Sequence, residues 1–155
     1  MDLNPVWPEI QAIFDWDGSL RDLYIVATTL PEWQRVLDYL HQCPYQSRFS
    51  LANQPALLPT QIGLIAPGQG DAHRLLAIDL GGILLNCHFS IAEEIEFDLD
   101  PREITSATHW KQLLTFMLDL AQWVGQEVIL TRENWPRYIF CHCRPTGEVL
   151  WEHVS

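Results

Sequence analysis

The sequence predicts an α+β domain in which a mostly antiparallel sheet of about six to eight strands is packed by two main helices. Short apolar runs separated by Asp-Gly, Gly-Gly and Pro-Thr-Gly turns are typical of hairpins. Two longer segments instead carry apolar residues at helical spacing. With 155 residues, 48% of them apolar, residues 1–155 are expected to form a single domain with its own core.

The first hairpin is predicted from strands at residues 10–16 and 20–27, which flank a turn at residues 17–19. Asp-Gly between apolar runs is a strong short-range signal for such a turn. The segment that follows, Thr29-Leu-Pro-Glu32, matches a capping box and begins a helix. That helix is expected to end at Cys43-Pro44, because proline cannot continue it.

The middle of the chain, residues 44–74, is rich in proline and glycine. We expect short strands near residues 48–52 and 61–66, with irregular chain between them. The segment contains too many aliphatic residues for a flexible linker, so no domain boundary is placed there.

A second hairpin is predicted over residues 75–89, on a Gly81-Gly82 turn. One register of the two strands places their apolar residues opposite each other on the same face, and this agreement supports the hairpin. Its pairs are Leu80 with Ile83, Ile78 with Leu85, and Leu76 with Cys87.

The second half begins with a strand in which Ile95, Phe97 and Leu99 alternate with acidic residues, so one face should be buried and the other acidic. A long helix should follow, capped by Ser106 or Thr105 and stopped by Gly125. Three strands are predicted after it, near residues 127–132, 137–143 and 148–153.

A weak internal similarity links the starts of the two helices, at Thr-Leu-Pro-Glu-Trp33 and Ala-Thr-His-Trp110. Two ββα-like halves that share one sheet are therefore an alternative to an unrepeated chain.

The formal charge of −11 argues against nucleic acid as a partner, because such a surface repels a phosphate backbone. The first residues resemble no secretion signal, and no apolar stretch is long enough to span a membrane. We expect a cytoplasmic protein whose four cysteines are free thiols, and we predict no cofactor.

The stretch Ile13-Phe-Asp15-Trp-Asp17-Gly-Ser19-Leu20 resembles the first motif of the haloacid dehalogenase phosphohydrolases. The resemblance implies Asp15 as nucleophile, Asp17 as general acid and base, and a magnesium ion beside them. That family supplies further metal-binding carboxylates after a later strand, and it has a parallel sheet. Here the segments after the long helix contain no aspartate, and the predicted hairpin leaves Asp15 and Asp17 in a turn.

Two acidic surfaces are candidate protein-binding sites. The first consists of Glu93, Glu94, Glu96, Asp98 and Asp100, and the second of Asp15, Trp16, Asp17 and Asp22. A solvated sheet face and a calcium site are the alternatives for the first surface. For the second, Trp16 could instead pack against the sheet.

A zinc site at Cys141-His142-Cys143 is disfavoured, because on a strand the two cysteines point one way and the histidine points the other. Buried thiols are expected instead.

Three functional hypotheses follow. The leading one is a non-catalytic acidic domain that binds a protein, of the kind that inhibits or gives immunity against a basic toxin or nuclease. The second is a magnesium-dependent phosphohydrolase that uses Asp15 and Asp17. The third is a small-molecule-binding protein that uses residues 52–74.

Overall fold

A computed structural model describes residues 7–65 and 67–153. The chain forms one nine-stranded sheet in which every pair of neighbouring strands is antiparallel, in the order β3-β2-β4-β5-β6-β1-β7-β8-β9. The strands are β1 Arg21–Val26, β2 Gln46–Leu51, β3 Gln54–Ala56, β4 Arg74–Asp79, β5 Leu84–Cys87, β6 Glu94–Leu99, β7 Val128–Arg132, β8 Trp135–Cys143 and β9 Val149–Trp151. The predicted α+β class is confirmed, with a larger sheet than expected.

Two long helices, α2 (Leu30–Gln42) and α3 (Ala107–Val124), pack on one face of this sheet, and a short helix α1 (Trp7–Ile10) precedes β1. The core lies between the helices and that face. Trp33 of α2 and Trp110 of α3 are among its largest fully buried side chains. No helix in the described ranges is long and apolar enough to cross a bilayer.

The predicted first strand at residues 10–16 is wrong. Residues Trp7–Ile10 are α-helix and Gln11–Phe14 are 3-10 helix, so the first hairpin does not exist. The buried residues are Ile10, Ile13 and Phe14. Ile13 and Phe14 come three and four positions after Ile10, so all three lie on one side of a helix and face the core. A strand would instead bury alternate residues.

The segment 44–74 also differs from the prediction. The expected strand at residues 61–66 is a 3-10 helix at Ile62–Leu64, and a strand that was not predicted, β3, forms a hairpin with β2. The turn between them is Ala52-Asn53, with φ angles of 51° and 65°. Two successive left-handed residues are what a two-residue hairpin turn requires, and asparagine tolerates that conformation.

The remaining elements are confirmed. The Gly81-Gly82 hairpin has the predicted register, with Ile78 opposite Leu85. The Glu32 carboxylate accepts from the Thr29 N–H at 3.0 Å and completes the capping box of α2.

The helix α3 begins at a side-chain cap and ends at a left-handed glycine. Ser106 Oγ accepts from the His109 N–H at 3.2 Å, and Gly125 follows with φ of 78°. Both features were predicted, with Thr105 as the alternative cap.

The two halves are not both ββα. Among residues 7–29 the single strand before α2 is β1, whereas the hairpin-like pair β5 and β6 precedes α3. Both helices are instead preceded by one strand and followed by a hairpin, in the order β1-α2-β2-β3 and β6-α3-β7-β8.

The Ser106 cap gives a first test. Ser106→Ala is expected to lower the free energy of unfolding by about 1 kcal/mol, because it leaves one N–H at the start of α3 without its acceptor. Urea denaturation measures this loss. Thr105→Ala is the matched control and should cost less than half as much, and equal losses would contradict the assignment of Ser106 as the cap.

Candidate functional site

One face of the sheet carries the core residues, and the opposite face, which we call the open face, points away from α2 and α3. Along β1 the alternation places Leu23 and Ile25 in the core and Tyr24 on the open face. The open face is therefore where the sheet can meet a ligand or a partner.

Carboxylates dominate the centre of the open face, where β1 and β6 lie side by side. The register places Asp98 opposite Asp22, Glu96 opposite Tyr24, and Glu94 opposite Val26. Glu94, Glu96 and Asp98 are half-buried on β6, which confirms the predicted alternation of this strand. We call Asp22, Glu94, Glu96 and Asp98 the acidic row.

Asp22 is the buried member of the acidic row, with 1% of its surface exposed. Its Oδ2 accepts from the Tyr24 hydroxyl at 3.0 Å and from the Asn134 N–H at 2.6 Å. Burial raises the pKa of Asp22 in spite of these two donors. Asp22 therefore supplies charge to the row without offering a surface for direct contact.

Glu96 is the member of the acidic row whose ionisation is suppressed most clearly. Partial burial, and then the neighbouring charge of Asp22, raise the pKa of Glu96 to about 7. The Glu96 carboxyl is therefore partly protonated near neutral pH, and a cation that approaches it would favour its ionised form.

The third carboxylate of β6, Asp98, has partners in β5 and in the residue that follows it. Asp98 Oδ2 lies 3.0 Å from His88 Nε2, and Asp98 Oδ1 accepts from Asn86 Nδ2 at 3.3 Å. The hydrogen bond to Asp98 raises the pKa of His88. Asp98 is thus paired within the sheet, whereas Glu96 shares a hydrogen bond with Asp22 and Glu94 lies at the end of the row.

An apolar concavity of about 520 Å³ lies beside the acidic row. Its floor and walls come from β1, β7 and β8, among them Tyr24, Val26, Ile129 and Ile139, and charged residues such as Glu127 and Arg137 also line it. The Val26 side chain is 48% exposed. A large apolar side chain exposed beside half-buried carboxylates is the combination that recognition sites use.

The first predicted acidic surface is divided by the structure. Glu93 lies exposed before β6, outside the row. The Asp100 carboxylate binds Arg102, with Oδ2 accepting from Nη2 at 2.8 Å. The Arg102 guanidinium in turn lies 3.8 Å from the centre of the Trp16 ring, so Asp100 and Trp16 belong to one network.

The second predicted surface is divided as well. Asp22 joins the acidic row, whereas Asp15, Trp16 and Asp17 are exposed in the loop that leads into β1. The Ser19 hydroxyl donates to Asp17 Oδ1 at 2.6 Å and, with help from Arg21, lowers the pKa of Asp17 to about 2.

Arg21 stabilises this loop from the core side of β1. The sequence did not predict this role. The Arg21 side chain is on the core side of β1, and the residue is 3% exposed. Its Nε donates to the Ile13 carbonyl at 2.8 Å and its Nη2 donates to the Asp15 carbonyl at 3.0 Å. Nη1 donates to the Leu20 carbonyl at 3.0 Å and to Asp17 Oδ1 at 3.2 Å.

The surroundings of Asp15 and Asp17 differ from those that the phosphohydrolase resemblance implies. Asp15 follows a 3-10 helix and precedes β1, whereas the resemblance requires a nucleophile at the end of a parallel strand. Within residues 7–65 and 67–153, no group of three or more His, Cys, Asp or Glu side chains could hold a metal ion. The two aspartates are contacts of a buried arginine in this fold.

The Cys141-His142-Cys143 segment has the predicted alternation. All four cysteines of the chain are free thiols, and Cys141 and Cys143 are fully buried. His142 points to the other face and bridges Glu127 of the segment before β7 and Glu152 after β9. This bridge was not predicted, because it depends on the pairing of β8 with both neighbours.

The segment 52–74 forms part of another concavity, of about 550 Å³, on β2, β3 and β4. Leu57 lies at its rim with 93% of its surface exposed. The concavity has an apolar lining but no cluster of charged groups like the acidic row.

Comparisons with protein-family models, with curated proteins and with solved structures find no match to this chain.

Proposed function

We propose that the chain is a non-catalytic, cytoplasmic domain that binds a basic protein through the acidic row of its open face. The observation that supports this proposal is the concentration of half-buried carboxylates on β6, next to the buried Asp22. The open-face positions of β1, β5 and β6 carry no basic side chain, and His88 directly follows β5. These positions all belong to the described chain.

The physical reason is that partly desolvated carboxylates lose hydration without gaining a full set of partners. Lysine or arginine side chains from another protein would supply the missing positive charge and donors. The formal charge of −11 would also speed the encounter with a basic protein at low salt.

Binding should be linked to the ionisation of Glu96. Its pKa of about 7 reflects burial and repulsion, and a bound cation would lower it. The affinity for a basic ligand is therefore expected to rise as the pH increases from 6 to 8, with release of a proton on binding.

A defined basic peptide tests the proposal. The peptide KAKAKAK, titrated into ¹⁵N-labelled protein at low salt, should shift the amide signals of β1, β5 and β6, and the shifts should weaken as salt increases. The double variant Glu94→Gln/Glu96→Gln is expected to weaken binding about fivefold to tenfold, because it removes two carboxylates with which the lysines of the peptide can pair.

The matched control is Asp38→Asn/Asp119→Asn, which makes the same change in net charge on exposed positions of α2 and α3. This control should bind the peptide with less than a twofold loss. Equal losses in the two double variants, or shifts spread over the whole surface, would mean that net charge alone attracts the peptide and would reject a specific site.

A further inference from the structure

We propose that the partner docks with a large aromatic side chain in the apolar concavity of the open face, flanked in its own sequence by lysine or arginine residues that reach Glu94 and Glu96. This inference rests on the proposed function and adds the chemistry of the partner segment. Its basis is the shared border of the concavity and the acidic row.

That border is the strand β1. Tyr24 pairs with Glu96 on one side and with Ile129 on the other. Glu96 is therefore one strand away from Tyr24 in one direction, and the concavity begins in the other. Neighbouring strands are about 5 Å apart, so one short segment of a partner can occupy both features.

The concavity suits a single large apolar group. Its volume of about 520 Å³ lies within the range of natural ligand sites, and it is open to the surface at Val26. An aromatic side chain buries about 150–250 Å² and loses little conformational freedom on binding, which makes it a common anchor at interfaces.

Charge complementarity determines what flanks the anchor. Val26 lies opposite Glu94, and Tyr24 lies opposite Glu96, so two carboxylates line the β6 side of the exposed apolar surface. An acidic or neutral segment would bring no positive charge to these half-buried carboxylates, whereas lysine or arginine within two residues of the anchor would pair with them. A partner segment that combines the aromatic residue with basic neighbours fits both features.

A one-residue change in the test peptide isolates the anchor. KAKWKAK has the same charge as KAKAKAK and adds one indole ring. We expect it to bind at least fivefold more tightly, with additional shifts at Ile129 and Ile139. Failure of both peptides to bind would reject the proposed function, whereas equal binding of the two peptides would reject only the anchor.

A filled concavity provides the matching protein variant. Val26→Trp places an indole ring in the concavity that the aromatic side chain of the partner would occupy. Val26 is exposed, so the larger side chain should not disrupt the core. Within this variant the affinities of KAKWKAK and KAKAKAK should agree to within twofold, so that the fivefold advantage of KAKWKAK is lost. The control Leu57→Trp, far from the concavity on an exposed residue, should keep the advantage.

Other occupants predict different results. If tryptamine alone bound as tightly as KAKWKAK, the concavity would be a site for small organic cations and the anchor proposal would be wrong. If the protein self-associated in sedimentation and Val26→Trp abolished the association, the occupant would be a second copy of this chain.

Discussion

Replacement of Arg21 by methionine is expected to lower the free energy of unfolding by about 3–5 kcal/mol. Methionine fills much of the same volume but donates no hydrogen bond, so the carbonyls of Ile13, Asp15 and Leu20 lose their donor. Asp17 loses its ion pair in the same step. Urea denaturation should show the loss directly, and thermal unfolding should show a decrease of roughly 10 °C.

The matched control is Arg48→Met, an exposed arginine on β2, which should change the stability by less than about 0.5 kcal/mol. Arg21→Lys should retain little of the lost stability, because one ammonium group cannot reach carbonyls on both sides of the loop. A loss below 1 kcal/mol for Arg21→Met would show that the loop does not depend on this side chain.

Glu96→Gln is expected to stabilise the protein above neutral pH by about 1–2 kcal/mol, a value reduced for the partial exposure of the side chain. The folded protein raises the pKa of Glu96 from 4.5 to about 7, so between these values the folded chain binds a proton that the unfolded chain does not. Stability linked to Glu96 is therefore fully present below pH 4.5 and is lost as the pH rises from 4.5 through 7. Glutamine carries no charge at any pH and removes this loss.

Urea denaturation of both proteins at pH 5 and pH 8 measures the effect. The difference between variant and original should be small at pH 5 and largest at pH 8. His88 also loses stabilisation as the pH rises through its raised pKa, and the charge of Glu96 contributes to that raise, so the difference between the two proteins contains a smaller contribution from His88. Glu94→Gln is the control and should have a smaller effect at pH 8, because Glu94 lies farther along the sheet from the buried Asp22, whose charge raises the pKa of Glu96. Equal stability of Glu96→Gln and the original protein at pH 8 would contradict the burial of this charge.

Elements that depend on near neighbours were predictable from the sequence. The Gly81-Gly82 turn and the alternation of β6 need information from only a few adjacent residues, and both were predicted in the correct register. The capping residues Thr29 and Ser106 identified the starts of both long helices for the same reason.

The error at residues 10–16 has a specific cause. Asp17-Gly18 gave a strong hairpin signal, and the apolar run before it was interpreted as the partner strand. The spacing of Ile10, Ile13 and Phe14 already contained the helical alternative, since these residues fall on one side of a helix. The role of Arg21 was hidden because its acceptors are backbone carbonyls, which no residue type reveals.

The candidate site was predicted only in part. The carboxylates of β6 were recognised as one acidic face, but their contact with Asp22 requires the pairing of β1 with a strand from the other half of the chain. The concavity likewise combines β1 with β7 and β8, so no local pattern could identify it. Pairings between distant segments are determined by the whole core and not by any single stretch.

The position of β1 has a consequence for folding. This strand is made early, yet both of its neighbours, β6 and β7, begin only at Glu94 and Val128. A nascent chain that lacks β7 therefore has a bare hydrogen-bonding edge in the middle of its future sheet, next to Leu23 and Ile25. The pairings of β1 with β6 and with β7 each close a long segment of chain. The contact order is therefore high, and these pairings are expected to form slowly. Until Val128–Arg132 has been synthesised, the β1 edge is therefore open to pairing with other chains, and aggregation at this edge is the expected hazard of the incomplete chain.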